Sequence, residues 1–205
     1  PAADWKFPDG KQSVDVPFEL ANGHMYVQVR IDGKGSFRML FDTGGVNVIV
    51  PEVAQSLGLK PEGVLPGTGA GEAKEDVGLV KVSSLEIGGI KLNDPLFAVV
   101  ALRNYAWRVE GMELDGLVGY ELLKQFPARI DYEARRVTFY QPESFRYAGT
   151  GTRLPFRFKN HVPQVDGSID GIPGAFDLDT DARTSLTLAG PFWKIHEMDA
   201  KYDAK

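Results

Sequence analysis

The sequence predicts an all-β fold with a few short helices, and three observations point to it. Turn-forming residues are abundant, with 23 Gly and 13 Pro in 205 residues, which suits many short strands joined by tight connections. Most apolar runs are short and alternate with polar residues, the two-residue period of a half-buried strand. The chain also echoes itself. Phe41-Asp42-Thr43-Gly44, running into apolar Val46–Val50, returns as Leu178-Asp179-Thr180-Asp181, running into Thr184–Thr187. The flanks match as well: Ile31-Asp32-Gly33 with Ile169-Asp170-Gly171, and Val16-Pro17-Phe18 with Leu154-Pro155-Phe156, the copies standing 137 or 138 residues apart. Each copy leads into a helix begun by proline, at Pro51 and Pro191, a residue suited to the first helical position. A lone Asp-Thr-Gly is weak evidence, because Asp and Gly favour turns in any protein. Two copies with matching flanks read as an internal duplication that presents two aspartates.

Taken in order, residues 1–13 are polar and read as a lead-in. A first lobe spans 14–140. In it Val14–Leu20, His24–Ile31 and Phe37–Phe41 read as strands, with Gly33-Lys34-Gly35 turning the chain between the last two. Pro51–Leu57 reads as a short helix capped by Gly58. Leu65–Gly78 is rich in glycine and charge and reads as a surface hairpin or loop. Val80–Ile90, Pro95–Ala101 and Val137–Tyr140 are further strands, and Glu121–Phe126 is a short helix. Residues 141–152, polar and ending in Gly-Thr, read as a linker. The first-lobe pattern restarts over 153–205, as Leu154–Leu188 and a helix at Pro191–Tyr202. This second lobe is less than half as long as the first and has no counterpart of Asp115-Gly116-Leu117-Val118-Gly119. It is expected to be incomplete, its remainder supplied by a downstream segment or by another chain.

Composition removes several classes of function. The net charge is −5 with both signs interspersed, so no basic patch argues for nucleic acid. No apolar run approaches the ~18 residues of a membrane span. The absence of cysteine removes disulfides and thiolate chemistry. His24, His161 and His196 are scattered and show no zinc-ligand spacing; they read as surface or core residues. A calcium loop begun at Asp177 would need Gly at its sixth position and Glu at its twelfth, where Ala182 and Leu188 stand. No metal and no cofactor are expected. The glycine-rich run Pro66–Lys74 lacks a phosphate-binding Gly-Lys-Ser/Thr. Phe97, Tyr105 and Trp107 read as core aromatics before cleft-lining ones.

The duplicated Asp-Thr turns, with Leu114-Asp115-Gly116-Leu117-Val118-Gly119 leading into Tyr120-Glu121-Leu122-Leu123, then Phe126 and Ala128-Arg129-Ile130-Asp131-Tyr132, resemble the bacterial single-chain retropepsin-like aspartic proteases. The resemblance covers roughly residues 14–192, more fully in the first lobe. It implies an acid-protease (retropepsin/pepsin-like) fold, with a closed β-barrel lobe plus a partial second lobe. It also implies hydrolysis of polypeptides, a catalytic pair Asp42 and Asp179, and a flap over the cleft carrying Gly67, Gly69 and Gly71. A downstream peptide-binding PDZ module is common in that group. The resemblance tilts the expected location to the periplasm or exterior.

The chemistry explains the motif. Two carboxylates about 3 Å apart share one proton: the ionised one takes a proton from water as it attacks an amide, and the protonated one polarises the carbonyl and then protonates the nitrogen. Thr43 and Thr180 would bond across the two turns. Gly44 would admit its N–H to the carboxylate, and Gly119 would let its segment pass beneath the first turn. Asp181 departs from the pattern, standing where the family has glycine, and adds a third negative charge. Three readings stay open: an endopeptidase with an Asp42/Asp179 dyad, a protease-like module that binds extended peptides without cutting, and a homodimer pairing Asp42 with Asp42 of a second chain.

Overall fold

A computed structural model describes residues 4–68, 74–102, 113–182 and 184–202. The first strands are β1 (Asp4–Lys6), β2 (Ser13–Pro17), β3 (Glu19–Ala21), β4 (His24–Ile31), β5 (Lys34–Asp42) and β6 (Val48–Ile49), followed by helix α1 (Pro51–Leu57). Next come β7 (Val64–Thr68), β8 (Lys74–Lys81), β9 (Ser84–Ile87), β10 (Ile90–Asn93), β11 (Leu96–Val99) and β12 (Gly116–Gly119). Helix α2 (Tyr120–Leu123) leads to β13 (Ala128–Asp131) and β14 (Arg136–Tyr140). The second half holds β15 (Arg157–Lys159), β16 (Val162–Ile169), β17 (Ile172–Asp177) and helix α3 (Gly190–Ile195).

Alternation builds the strands and left-handed turns join them. Along β2, Val14 and Val16 point inward while their neighbours are exposed, as the pleat requires. Five hairpins close on two-residue turns: Asn22-Gly23, Asp32-Gly33, Gly88-Gly89, Asn160-His161 and Asp170-Gly171, with positive φ at both positions of each. Positive φ at both central residues is the mark of a type I′ turn, whose twist matches that of the strands it joins. The β4–β5 turn is therefore Asp32-Gly33, not the expected Gly33-Lys34-Gly35; Lys34 already pairs with Ile31. Asp tolerates the left-handed region better than Lys, which decides where the chain reverses.

Ten strands form the order β1-β10-β9-β4-β5-β12-β6-β11-β8-β7, with β3 added beside β4, and this sheet curls into a half-barrel. A second sheet, β13-β14-β2, closes the core from the other side, where Phe139 meets Phe41 edge-on with centroids 6.2 Å apart. One apolar cluster joins both sheets, from Val14 and Val16 through Met39, Phe41, Ile49 and Phe97 to Val118 and Phe139. The polar start is not a bare lead-in. β1 pairs with β10, and Trp5 and Phe7 lie 5.8 and 5.5 Å from the Phe126 ring. Phe18 breaks the expected strand 14–20 in two, and the 80–90 run divides between β8, β9 and a turn into β10.

The third sheet, β15-β16-β17, belongs to the second copy. Residues 141–156 lead into it without a strand. The expected strand at Thr184–Thr187 does not form. Its first-copy counterpart, β6, is held between β12 and β11, and among the described residues the second copy has no strand equivalent to β12; Leu186 is left exposed. The expected helix 191–202 breaks at Glu197, whose φ is +50°, into α3 and a 3₁₀ turn over Met198–Ala200.

The connection that matters most is a threaded one. β12 lies between β5 and β6, parallel to the first (Gly116 opposite Met39, Gly119 opposite Asp42) and antiparallel to the second (Gly116 opposite Ile49). The segment 43–47 must therefore cross the end of a third strand instead of closing a tight hairpin. The threading is possible because Gly116 has no side chain: a Cβ there would run into the Val48 carbonyl oxygen, with Met39 Sδ 2.8 Å away. Gly116→Ala is expected to destabilise the fold by about 2–4 kcal/mol, since neither backbone nor core has room to yield. Urea unfolding monitored by tryptophan fluorescence measures it; a change below about 0.5 kcal/mol would contradict this account of the threading.

Candidate active site

Asp42 ends β5, and Asp179 follows β17 by two residues. In each copy the aspartate comes out of a hairpin whose turn is Asp-Gly in the left-handed conformation. The local geometry is the same twice. Gly44 N–H donates to Asp42 Oδ1 at 2.7 Å, and Asp181 N–H donates to Asp179 Oδ1 at 2.8 Å. Both are side-chain turns in which a carboxylate accepts from the N–H two residues on. Asp181 therefore keeps the backbone role of Gly44 while adding a carboxylate.

The structure brings the two turns together through their threonines. Thr43 N–H donates to Thr180 Oγ1 at 3.1 Å and Thr180 N–H to Thr43 Oγ1 at 3.0 Å. Each hydroxyl then passes its own proton onward, Thr43 Oγ1–H to the Leu178 carbonyl and Thr180 Oγ1–H to the Phe41 carbonyl, both at 2.7 Å. These four bonds are reciprocal, so neither turn can shift without breaking bonds in the other. Thr43 is buried, where an unmade hydrogen bond would cost about 1–3 kcal/mol.

Two glycines fit closely around Asp42. A Cβ on Gly119 would occupy the space of the Asp42 carbonyl oxygen, and one on Gly45 would strike the Asp42 carboxylate. Gly45 was not singled out from the sequence. Phe97 is fully buried in the core. Gly67 lies in β7 opposite Glu75 on the last hairpin of the large sheet; Gly69, Gly71, Tyr105 and Trp107 lie outside the described residues. Among the described residues, no three His, Asp or Glu side chains gather as metal ligands would, and no helix is long and apolar enough to cross a membrane.

Burial divides the two carboxyls. Asp42 is 8% exposed, whereas Asp179 lies open to solvent. Burial is the largest influence on Asp42 and pushes its carboxyl up to about 6, against the lowering effect of the Gly44 N–H; the charges of Asp179 and Asp181 push it further, and the Gly45 N–H opposes them. The two turns thus present one buried carboxyl that holds its proton into mild acid and one carboxyl that faces solvent.

One contact here escapes sequence reasoning. Buried His24, at the start of β4, places Nε2 2.8 Å from the Asp181 carbonyl oxygen and 3.5 Å from Asp181 Oδ1. The signal was present in the duplication but takes no motif form: 138 residues on, the matching position is Val162, which packs against Gly44.

Two comparisons with known proteins found similarities. Residues 27–122 match a family model described as aspartyl protease; the match runs from β4 to α2 and contains Asp42 and Gly119. Among solved structures, the chain is similar to a retropepsin-like aspartic protease from Rickettsia conorii, at 20% identity and a TM-score of 0.43, covering 68% of this chain and 93% of that one. No curated protein matches the sequence. The chain resembles the retropepsin-like aspartic proteases.

The raised carboxyl has a consequence for stability. Folded Asp42 holds its proton more tightly than the unfolded chain does, so its contribution is intact below about pH 4 and is lost as pH rises through about 6. Asp42→Asn never ionises and keeps the Oδ1 acceptor. It is expected to be more stable than the native chain near pH 7.5, by up to about 3 kcal/mol, and equal to it near pH 3.5. Thermal unfolding at the two pH values checks the sign; a variant less stable at neutral pH would contradict the burial of a charge at Asp42.

Proposed function

We propose that this chain is an aspartic-type endopeptidase in which Asp42 and Asp179 form the dyad that activates water against a peptide bond. The reciprocal bonding of Thr43 and Thr180 carries this reading. It sets the two aspartate turns against each other across a duplication, with the Asp42 carboxyl buried and biased to hold a proton and the Asp179 carboxyl facing solvent. In mild acid the proton shared by the pair rests on Asp42. Asp179 takes a proton from a water lying between the carboxyls as its oxygen attacks the amide carbon. Asp42 donates toward the carbonyl oxygen, forming a tetrahedral gem-diol, and collapse of that species passes a proton to the nitrogen. Water is the nucleophile, and no covalent bond to the protein forms.

An extended polypeptide is the substrate this arrangement suits. Among the described residues β7 is the last strand of the large sheet, and its outer edge is one to which an extended chain can add. The intramolecular second turn occupies the threonine contacts that an Asp42 turn from another chain would need, which favours single-chain pairing over a homodimeric dyad.

The experiment is cleavage of a mixed peptide library from acid to neutral pH. The native chain is expected to cut, with activity falling as pH rises through about 6, because the dyad must retain one proton. Asp42→Asn and Asp179→Asn should each lose about 10²–10⁴-fold or more in kcat. Loss only in Asp42→Asn would favour pairing between chains. Peptide binding without cleavage by the native chain would favour a binding module.

A further inference from the structure

The duplication allows each turn to be read against the other, and one contact breaks the equivalence. In the first turn the residue after Asp-Thr is Gly44, and the second-copy residue packed on it is Val162, whose methyl carbons lie 3.4 Å from where a Cβ would be. In the second turn the equivalent residue is Asp181, and the first-copy residue packed on it is His24. His24 and Val162 are themselves equivalent. Each opens a strand after a type I′ turn, paired with Ala21 and Lys159 respectively. Where the turn residue is small, its neighbour across the lobes is apolar. Where it is acidic, the neighbour is an imidazole.

We propose that His24 is a positioning residue for the second aspartate turn: by holding the main chain and carboxylate of Asp181, it lets an acidic residue occupy a glycine position without crowding the carboxyl of Asp42. The inference rests on the protease reading for its catalytic meaning, though not for its geometry. A carbonyl oxygen only accepts, so Nε2–H of His24 is the donor at 2.8 Å, and that bond anchors the turn. The same nitrogen lies 3.5 Å from Asp181 Oδ1, so the ring borders the carboxylate as well as the main chain of Asp181. His24 is 3% exposed and opens β4, where its backbone pairs with Ala21. The charged groups acting on Asp42 are Asp179 and Asp181, both from the second turn. Control of Asp181 is thus control of one of the two charges that add to the effect of burial on the Asp42 carboxyl.

The test reads Asp42 directly, by carbon-13 NMR titration of its side-chain carboxyl without substrate, in the native chain, His24→Ala, Asp181→Gly and the double variant. The Asp42 midpoint is expected to rise in His24→Ala by about 0.5 unit or more, as the Asp181 charge is released. It should fall in Asp181→Gly and stay at that lower value in the double variant. Peptide cleavage should follow, with kcat down about 10-fold or more in His24→Ala, KM little changed, and recovery in the double variant. An unchanged midpoint in His24→Ala, or the same rise with and without Asp181, would overturn the proposal. If His24→Ala does not fold, His24→Val, which matches the apolar residue at the equivalent Val162 and removes the bond to Asp181, serves in its place; the same two outcomes decide. Absence of cleavage in every variant, with the titrations behaving as expected, would count against the protease reading and leave the role of His24 standing.

Discussion

The passage of β12 between β5 and β6 is the constraint on which the rest of the molecule depends. A strand lying between two others forces their connection to span it, and that open connection is where Asp42 sits. The backbones approach so closely that side chains are excluded at two points. Gly116 meets the Val48 carbonyl, and Gly119 meets the backbone of Asp42. The same strand supplies the ladder that keeps β6 extended and, by covering the end of β5, contributes to the burial of Asp42.

The second copy shows what happens without that strand. Its hairpin, its Asp-Gly turn and its side-chain turn at Asp179 follow the first copy closely. Beyond Asp181 the likeness ends: no strand forms over 184–189, and Asp179 stays in solvent. Two nearly identical local motifs therefore give two unlike carboxyls. The difference arises from the environment of each residue and not from its motif, and the proposed acid–base chemistry draws on it. The threonine bonds tie the open turn to the rigid one, so the second aspartate takes its position from the first lobe.

Much of this was legible in the residues. The repeat of Ile-Asp-Gly ahead of each Asp-Thr marked a duplication, and both copies carry a left-handed Asp-Gly turn, although the first turn was expected one residue later, at Gly33-Lys34-Gly35. Alternation marked β4 and the later part of β5, and Pro51 with Gly58 bracketed α1 within its observed bounds. Boundaries that depended on partners were not legible. Phe18 interrupts a run that reads as one strand, because β2 pairs with β14 while β3 turns to pair with β4. Residues 184–187 have strand-like composition but no neighbour to pair with. His24 carried no motif, because its meaning depends on a residue 157 positions away.

The sequence by itself determined the local chemistry: where turns take left-handed residues, where strands alternate, and that two Asp-Thr segments recur with matched flanks. These follow from steric limits on single residues and from side-chain period, which neighbours in the chain already specify. The tertiary structure decided which aspartate is buried, that Thr43 and Thr180 exchange hydrogen bonds, and that Asp181 rests on an imidazole. Burial and long-range contact are set by how strands thread and pair, and no residue encodes its own solvent exposure.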